Sequence, residues 1–378
     1  MSTLKAINVQ HPSASTTNIV NDASGNVALG NNLTVAGTST LTGNVTAAGN
    51  VTAAGNVTAA GNVTAAGTVA MGSSFKRNRI INGNMVIDQR NAGASVTIAD
   101  NSFIVDRLGY FATQASKFTA GQNLNSVTPP AGFSSYAGLQ TLSAVSVAAS
   151  DYFFVAQNIE GLNVADLGWG TANAQTVTLS FKVYSSLTGT FGAVLKNNAA
   201  NRSYPFTYTI SSDNTWTTIS VTIAGDTTGT WLTTNGIGLR VQFGLGVGST
   251  YSGTAGAWAG ANYISATGAV SVVGTSGATF YITGVQLEVG TIATPYERQI
   301  YSDQFSQCLR YYMATYWYVS AITGGNAVTG ITYPTTMRTS PTVSGGGTGF
   351  TLVAGTNFGS YFYQTTSSGQ TLTFSAEL

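Results

Sequence analysis

Between residues 43 and 66 the hexapeptide Gly-Asn-Val-Thr-Ala-Ala occurs four times in an unbroken row. A perfect short period constrains a chain strongly, because each copy must adopt the same conformation and stack on the next. Six is a multiple of the strand period of two but not of the helical 3.6, so the repeat reads as extended chain. One face then carries Val45, Val51, Val57 and Val63 with the glycines Gly43, Gly49, Gly55 and Gly61. That face is apolar but thin, and a single strand cannot bury it alone. Gly and Asn also permit a tight bend once per repeat. The repeat predicts a rod, most simply one built by several chains together.

Degenerate copies flank the perfect ones in the same register. Gly-Asn-Val-Ala-Leu-Gly starts at Gly25, Asn-Asn-Leu-Thr-Val-Ala at Asn31, Gly-Thr-Ser-Thr-Leu-Thr at Gly37 and Gly-Thr-Val-Ala-Met-Gly at Gly67. Eight hexads therefore run over residues 25–72, and atypical end copies are what capping of an array produces. Two architectures compete. A single-chain left-handed β-helix also uses hexads, but it consumes three per coil, so this array would give under three coils filled with little but valine and alanine. Three parallel chains sharing the seam would triple the apolar content per unit length, and the intertwined trimer is the preferred expectation, with Val45, Val51, Val57 and Val63 as its shaft residues.

Residues 1–24 are polar and irregular, with His11-Pro12 interrupting any regular element and one short strand possible around Leu4, Ile7 and Val9. They are expected to be a docking segment ordered by a partner. The amino terminus lacks the apolar run of a secretory signal, and nowhere is there a span of about 18 apolar residues. Membrane insertion is not expected, and the chain reads as one made in a cytosol.

From Phe75 the texture changes to strand-like runs with turn punctuation. In Thr176–Tyr184 the residues Val177, Leu179, Phe181 and Val183 alternate onto one face, and similar runs cover 216–223, 237–243 and 280–289. No amphipathic helix alternates with them, which predicts an antiparallel two-sheet sandwich of jelly-roll form over residues 75–300. The Gly-, Ala- and Ser-rich stretch 244–279 reads as a long loop laid over it. Residues 301–378 form a small terminal β-domain, opened by a short helical turn around Gln304, Phe305, Cys308 and Leu309. Tyr311–Tyr318 comes next as a strand apolar on both faces. About 60 residues of β-structure would be marginal alone and point to association.

Composition agrees with an all-β chain. Only 7% of residues are charged, against roughly 25% in ordinary soluble domains, while 43% are hydrophobic and 45 are glycine. Low charge with high hydrophobicity argues against disorder. The formal net charge of +1 gives no electrostatic case for nucleic acid. The one basic cluster, Lys76-Arg77-Asn78-Arg79, reads as a solvated junction between rod and globule.

Chemistry is sparse. His11 is the only histidine and lies in the docking segment, so a nucleophile–histidine site has no base in the globular part. Cys308 is the only cysteine, which rules out an intrachain disulfide and a thiolate zinc site. The 13 acidic residues are scattered at turns or beside arginines, as Asp88 and Asp106 are beside Arg90 and Arg107. Asp88 or Asp100-Asn101 reads as capped turns rather than a calcium loop. No cofactor or metal is expected. Glycan binding needs flat aromatic surfaces with hydroxyls and amides around them. Core packing claims most aromatics. The better candidates are Trp231 and Trp258 in Gly- and Thr-rich loops, Tyr316, Trp317 and Tyr318 on the two-faced strand, and Tyr361 and Tyr363 near the far end. The two-faced strand serves equally well as a contact between copies.

Three pieces of the chain carry a family resemblance. Asn82-Gly-Asn-Met-Val-Ile-Asp-Gln-Arg-Asn-Ala-Gly93 with Val105-Asp-Arg-Leu-Gly109 resembles the opening of a globular module common in bacteriophage tail-fibre proteins. Ile282–Glu297 resembles that module's last strand, and Cys308-Leu-Arg-Tyr-Tyr312 with Tyr333–Val343 is similar to the segment that those proteins carry after the module. The match covers about 75–343, and Leu108 departs from it where the family often has Trp. Val-, Thr- and Gly-rich short repeats ahead of a globular head are also usual there. The resemblance implies a homotrimeric virion fibre, assembled in the host cytoplasm. Residues 1–24 would anchor it to a tail, baseplate or capsid protein, and its sandwich would be like a carbohydrate-binding module facing host surface polysaccharide. A non-enzymatic adhesin is the expected function. The rivals are a glycan-degrading tailspike, which needs only two carboxylates, and a structural fibre with no receptor role.

Overall fold

The computed structural model describes the backbone of residues 8–9, 19–21, 27–29, 76–319, 327–345, 350–364 and 368–378. The chain divides into two units, residues 1–70 and 71–378. In the first, β1 (Asn8–Val9), β2 (Ile19–Asn21) and β3 (Val27–Leu29) form an antiparallel sheet in which Val9 pairs with Ile19 and Val20 with Ala28. Thus β3 lies in the first degenerate hexad and pairs with the segment before it. Val45, Val51, Val57 and Val63, and with them the expected shaft, lie outside the described residues.

The second unit opens with a sandwich of two six-stranded antiparallel sheets. Its strands in chain order are β4 (Val96–Thr97), β5 (Ser102–Val105), β6 (Leu108–Ala112), β7 (Phe118–Gln122), β8 (Ala137–Thr141), β9 (Tyr152–Glu160), β10 (Val177–Ser185), β11 (Gly189–Lys196), β12 (Ser203–Ile210), β13 (Thr217–Ile223), β14 (Ile237–Val247), a parallel pair β15 (Ser252–Gly253) and β16 (Ser265–Ala266), and β17 (Thr279–Val289). The first sheet runs β13-β10-β17-β8-β7-β4 and the second β12-β11-β14-β9-β6-β5. The chain passes back and forth between the two sheets, as a jelly roll requires.

The alternation read in β10 decides its placement. Val177, Leu179, Phe181 and Val183 are buried and face Phe191, Ala193, Leu195, Val241 and Phe243 of the other sheet in one core. Phe181 meets Tyr208 and Phe243 edge-on at 5.1 and 5.0 Å, the geometry that the ring quadrupole favours. Strand β9 is buried on both faces, because its outer residues Phe154 and Ala156 are covered by Ile264 and Tyr251. These belong to a strap, residues 248–275, that crosses the outside of the second sheet. Its floor is glycine for a steric reason: a Cβ on Gly192 or Gly244 would collide with the Ser265 hydroxyl. Lys196 is sealed under the strap, its Nζ donating to Asn262 Oδ1 at 2.8 Å.

The basic cluster is solvated in part: Lys76 is exposed and Arg77 and Arg79 are half-buried, but the residue between the two arginines is not in solvent. Asn78 is buried; its Nδ2 donates to Val285 O, and its Oδ1 accepts from Ile80 N and Leu287 N at 2.9 and 3.0 Å. Arg79 N donates to Leu287 O at 2.9 Å. The start of the unit is thereby tied to the last sandwich strand, a contact across more than 200 residues that no local charge count reveals.

Beyond the sandwich, α1 (Tyr301–Leu309) leads into β18 (Tyr312–Val319), β19 (Ala327–Thr332), β20 (Thr342–Gly345), β21 (Phe350–Gly355), β22 (Gly359–Gln364) and β23 (Ser368–Ser375). They form two three-stranded sheets, β18-β23-β20 and β19-β22-β21, around Met313, Tyr333, Met337, Phe362, Leu372 and Phe374. This tip is joined to the sandwich by ions as well as by packing. Glu160, 1% exposed at the end of β9, accepts from Arg310 Nε at 2.9 Å and from the Tyr311 hydroxyl at 2.8 Å. Glu377 pairs with both Arg90 and the buried Arg107.

Candidate functional site

Among the described aromatics, three groups with exposed or half-exposed members differ in how their polar edges are used. In the first, Trp169, Trp231 and Trp258 form a trio with centroids 4.8, 5.3 and 5.4 Å apart, all edge-to-face. Trp231 and Trp258 come from loops far apart in sequence. Trp169, which sequence reasoning passed over, is the buried residue between them. Each indole N–H donates to a backbone carbonyl of the protein, those of Gln175, Thr228 and Ala224. The trio seals the end of the core beside an apolar cavity of about 170 Å³ lined by Val164, Leu167 and Leu239. Its chemistry is packing with the donors already used.

The second group lies on the outer face of the first sheet. Tyr184 stacks on Tyr281 at 5.2 Å, Trp216 abuts Tyr184 and Tyr136 at 5.5 Å, and the Trp216 N–H donates to Thr128 O at 2.9 Å. Tyr136 and Tyr281 are buried, and burial pushes the Tyr136 phenol up to about 12. Over them runs a turn in which Asn123, Asn125 and Ser126 have φ of 51, 61 and 53°. The Asn125 amide donates to the Tyr281 hydroxyl at 2.8 Å, so the left-handed turn is held by the rings it covers.

The third group is at the tip and differs from both. Tyr361 on β22 pairs with Gly330 on β19, and its ring lies against that glycine: a Cβ there would stand 3.1 Å from Tyr361 Cε1. The Cδ1–Cε1 edge of the ring is thus backed by bare backbone while the residue stays 58% exposed. Phe358, 63% exposed, shares with it a cleft of about 250 Å³ whose other lining residues include Ile331, Thr332 and Thr356. The Thr356 hydroxyl accepts from Phe358 N and Gly359 N, which fixes the turn that presents Phe358. Exposed rings beside threonine hydroxyls are what a sugar ring needs, an apolar face to lie on and polar partners at its rim.

Of the other sequence candidates, Tyr316 is 67% exposed on β18, whereas Trp317, its neighbour on the opposite face, packs against the tip core. Only one face of the two-faced strand is therefore buried at that position. The side chains of Tyr318 and Tyr363 lie outside the described residues. Phe358 was missed because a lone Phe in Thr-Asn-Phe-Gly has no periodicity to mark it. The Asn-Phe-Gly turn was its only signal.

The acidic residues mostly hold structure. Asp106 pairs with Arg90, Asp226 with Arg202 and Glu160 with Arg310, while Asp88 accepts from Asn91 N and Gly93 N, and Asp100 from Ala112 N. Burial pushes the Cys308 thiol far up, away from a reactive thiolate. Among the described residues no group of three or more His, Cys, Asp or Glu could hold a metal ion, and no helix is long and apolar enough to cross a membrane.

No protein-family model matches the chain, and no curated protein does. Solved structures that align with it include the enzymatically active domain of tailspike protein 4 of bacteriophage CBA120, at 12% identity and a TM-score of 0.32 over 57% of this chain. This chain spans 22% of that protein's length. TmCBM61, solved in complex with β-1,4-galactotriose, aligns at 9% identity and a TM-score of 0.30 over 57% of this chain and 100% of its own. The family 11 carbohydrate-binding module of Clostridium thermocellum aligns at 10% identity and a TM-score of 0.25, over 53% of this chain and 99% of its own.

Proposed function

We propose that this chain is a non-enzymatic adhesive fibre protein of a bacteriophage, which binds a host surface glycan through its tip. Residues 1–24 dock on a virion component, the hexads of 25–72 space and register three copies, and the sandwich carries the tip. The observation that supports glycan binding is the Tyr361 ring, its Cδ1–Cε1 edge against Gly330 with most of the residue in solvent and Phe358 on the same cleft. A ring held this way loses little freedom when a sugar stacks on it, so the contact is cheap in entropy. The carboxylates named above are already occupied by arginines and backbone N–H groups, which supports a binding role over hydrolysis.

Binding of the full-length protein to purified host surface polysaccharide, by surface plasmon resonance, tests the reading. Tyr361→Ala and Phe358→Ala should each weaken it at least about tenfold, the loss of one stacked ring. Unchanged binding in both variants would remove the tip from the proposal, and release of reducing sugar from the same polysaccharide would replace it with a hydrolase.

A second reading is favoured by Leu352 and Val353, exposed on β21 with no hydroxyl chemistry of their own. They suit a neighbouring copy better than a sugar. Native mass measurement should give three chains per particle, and a monomer would defeat the shared shaft.

A further inference from the structure

We infer a second binding site, for the anionic group of a carboxylate- or phosphate-bearing sugar, in the cleft between the start of the second unit and α1. The cleft measures about 320 Å³ and is lined by Lys76, Arg79, Asn163, Gln299, Gln307 and Arg310, with Ile81, Leu162 and Tyr311 supplying its apolar wall. Its size lies at the lower bound of small-ligand pockets, roughly 300 to 1,000 Å³, which fits one or two sugar residues.

Charge decides what it would hold. Three of its lining residues are cationic and none is acidic. Asp166 engages Arg79 at 2.5 Å, and Glu160 engages Arg310, so part of that charge is already compensated from outside the lining. Lys76 is exposed and makes no ion pair among the described residues, which leaves its charge to the cleft. Arg79 Nη1 also donates to Asn163 O and Arg310 Nη1 to Thr336 O, so Lys76 is the lining cation whose ammonium no carboxylate meets among the described residues, and an anionic oxygen is its strongest partner. The Gln307 amide nitrogen donates to Gln299 Oε1 at 2.9 Å, which leaves the Gln299 nitrogen and the Gln307 oxygen for hydroxyl groups. An ammonium, a guanidinium and paired carboxamides around an apolar wall match an acidic sugar better than a neutral one or a bare ion.

Titration calorimetry of the full-length protein at low salt tests this, with digalacturonate, neutral galactobiose and inorganic phosphate as separate probes. Digalacturonate should bind at least about tenfold more tightly than galactobiose, Lys76→Gln should cost about fivefold to tenfold, and added salt should erase most of the difference. Competition by inorganic phosphate would assign recognition to the anion in general, and its absence would assign it to the uronate. Lys76 is exposed, so its variant keeps the fold, and Tyr361→Ala should leave digalacturonate binding intact, which separates this site from the tip. Equal affinity for the charged and neutral disaccharides, no binding of either anion, or unaltered digalacturonate binding in Lys76→Gln would each overturn the inference.

Discussion

The guanidinium of Arg107, from the turn between β5 and β6, lies 3.6 Å from the centre of the Tyr311 ring, the residue that carries α1 into β18. Arg90 repeats the arrangement on the next residue, 3.7 Å from the ring of Tyr312. Both cations are buried or nearly so and meet Glu377 beyond β23. Burial holds both guanidinium groups below their usual pKa, the charges of Tyr311 and Asp106 opposing that shift for Arg107 and Arg90 in turn. Sandwich and tip are therefore joined by a seam of cations between aromatic faces and one shared carboxylate, with Leu378, Ile81 and Cys308 packed around it.

Removing Arg107 leaves Glu377 with Arg90 alone and Asn158 O without its guanidinium donor, so Arg107→Met should destabilise the second unit by about 3 kcal/mol. Adding Glu377→Gln should return part of the loss. Urea denaturation of the single and double variants measures both, and strict additivity would mean that the two side chains are not coupled.

Lys196 sets a pH dependence. Burial, with Arg240 adding like charge, lowers its pKa to about 7 from 10.5, while Asn262 is its hydrogen-bond partner from the strap. In the unfolded chain this lysine is protonated well above pH 7, so there the unfolded state binds more protons and stability rises with pH. The clean window is about pH 7 to 8, below the range where the buried Cys308, and above it the tyrosines, begin to oppose it. The melting temperature should climb across that window, and Lys196→Met should flatten the slope.

Gly244→Val forces a side chain into the Ser265 hydroxyl, which must move with its strap. Overpacking of this kind costs about 1–3 kcal/mol. Hydrogen exchange should rise in residues 248–275 and little elsewhere. An unchanged exchange pattern would show that the strap is not seated on that glycine.

Two aromatic groups should respond oppositely to truncation. Trp169, 7% exposed in the core trio, should cost about 3–5 kcal/mol on change to alanine and leave glycan affinity per folded molecule intact. Tyr361→Ala should leave stability within about 0.5 kcal/mol of the parent and weaken polysaccharide binding at least about tenfold. Thermal melts run beside polysaccharide binding would separate the two.

The inward faces of the sandwich were legible in the chain alone. The alternation of Val177, Leu179, Phe181 and Val183 announced one of them, and Phe280–Val289 read as the long strand it is. The partners of those strands did not show. Thr178 pairs with Thr222 on one side and Glu288 on the other, and nothing local links them. Strand β9 hid its period because the strap buries its second face, so Tyr152–Glu160 looks continuously apolar over its first half. Glu160 read as one of the scattered turn residues, yet it is a buried anchor whose cation, Arg310, comes from 150 residues further on. Trp231 and Trp258 were legible as loop aromatics, but their union around Trp169 is a property of three loops meeting. Tyr361 stood out by its place near the far end, whereas Gly330, against which its ring edge lies, did not.

The ties made by Asn78 have a mechanical meaning. Its side chain and the backbone of Arg79 and Gly83 clamp the beginning of the second unit to residues 285–287, at the end of the last sandwich strand. Tension applied between residue 76 and the tip therefore passes across a few hydrogen bonds and into the segment leading to α1. The pair of hydrogen bonds between Ile81 and Gln157 on β9 and the Arg107–Tyr311 seam share that load, and the strands of the two six-stranded sheets separate after these have given way. In single-molecule pulling, the first event should be this small release, with a separate and much longer extension afterwards as the sandwich opens. Asn78→Ala should lower the force of the first event and leave that of the second unchanged.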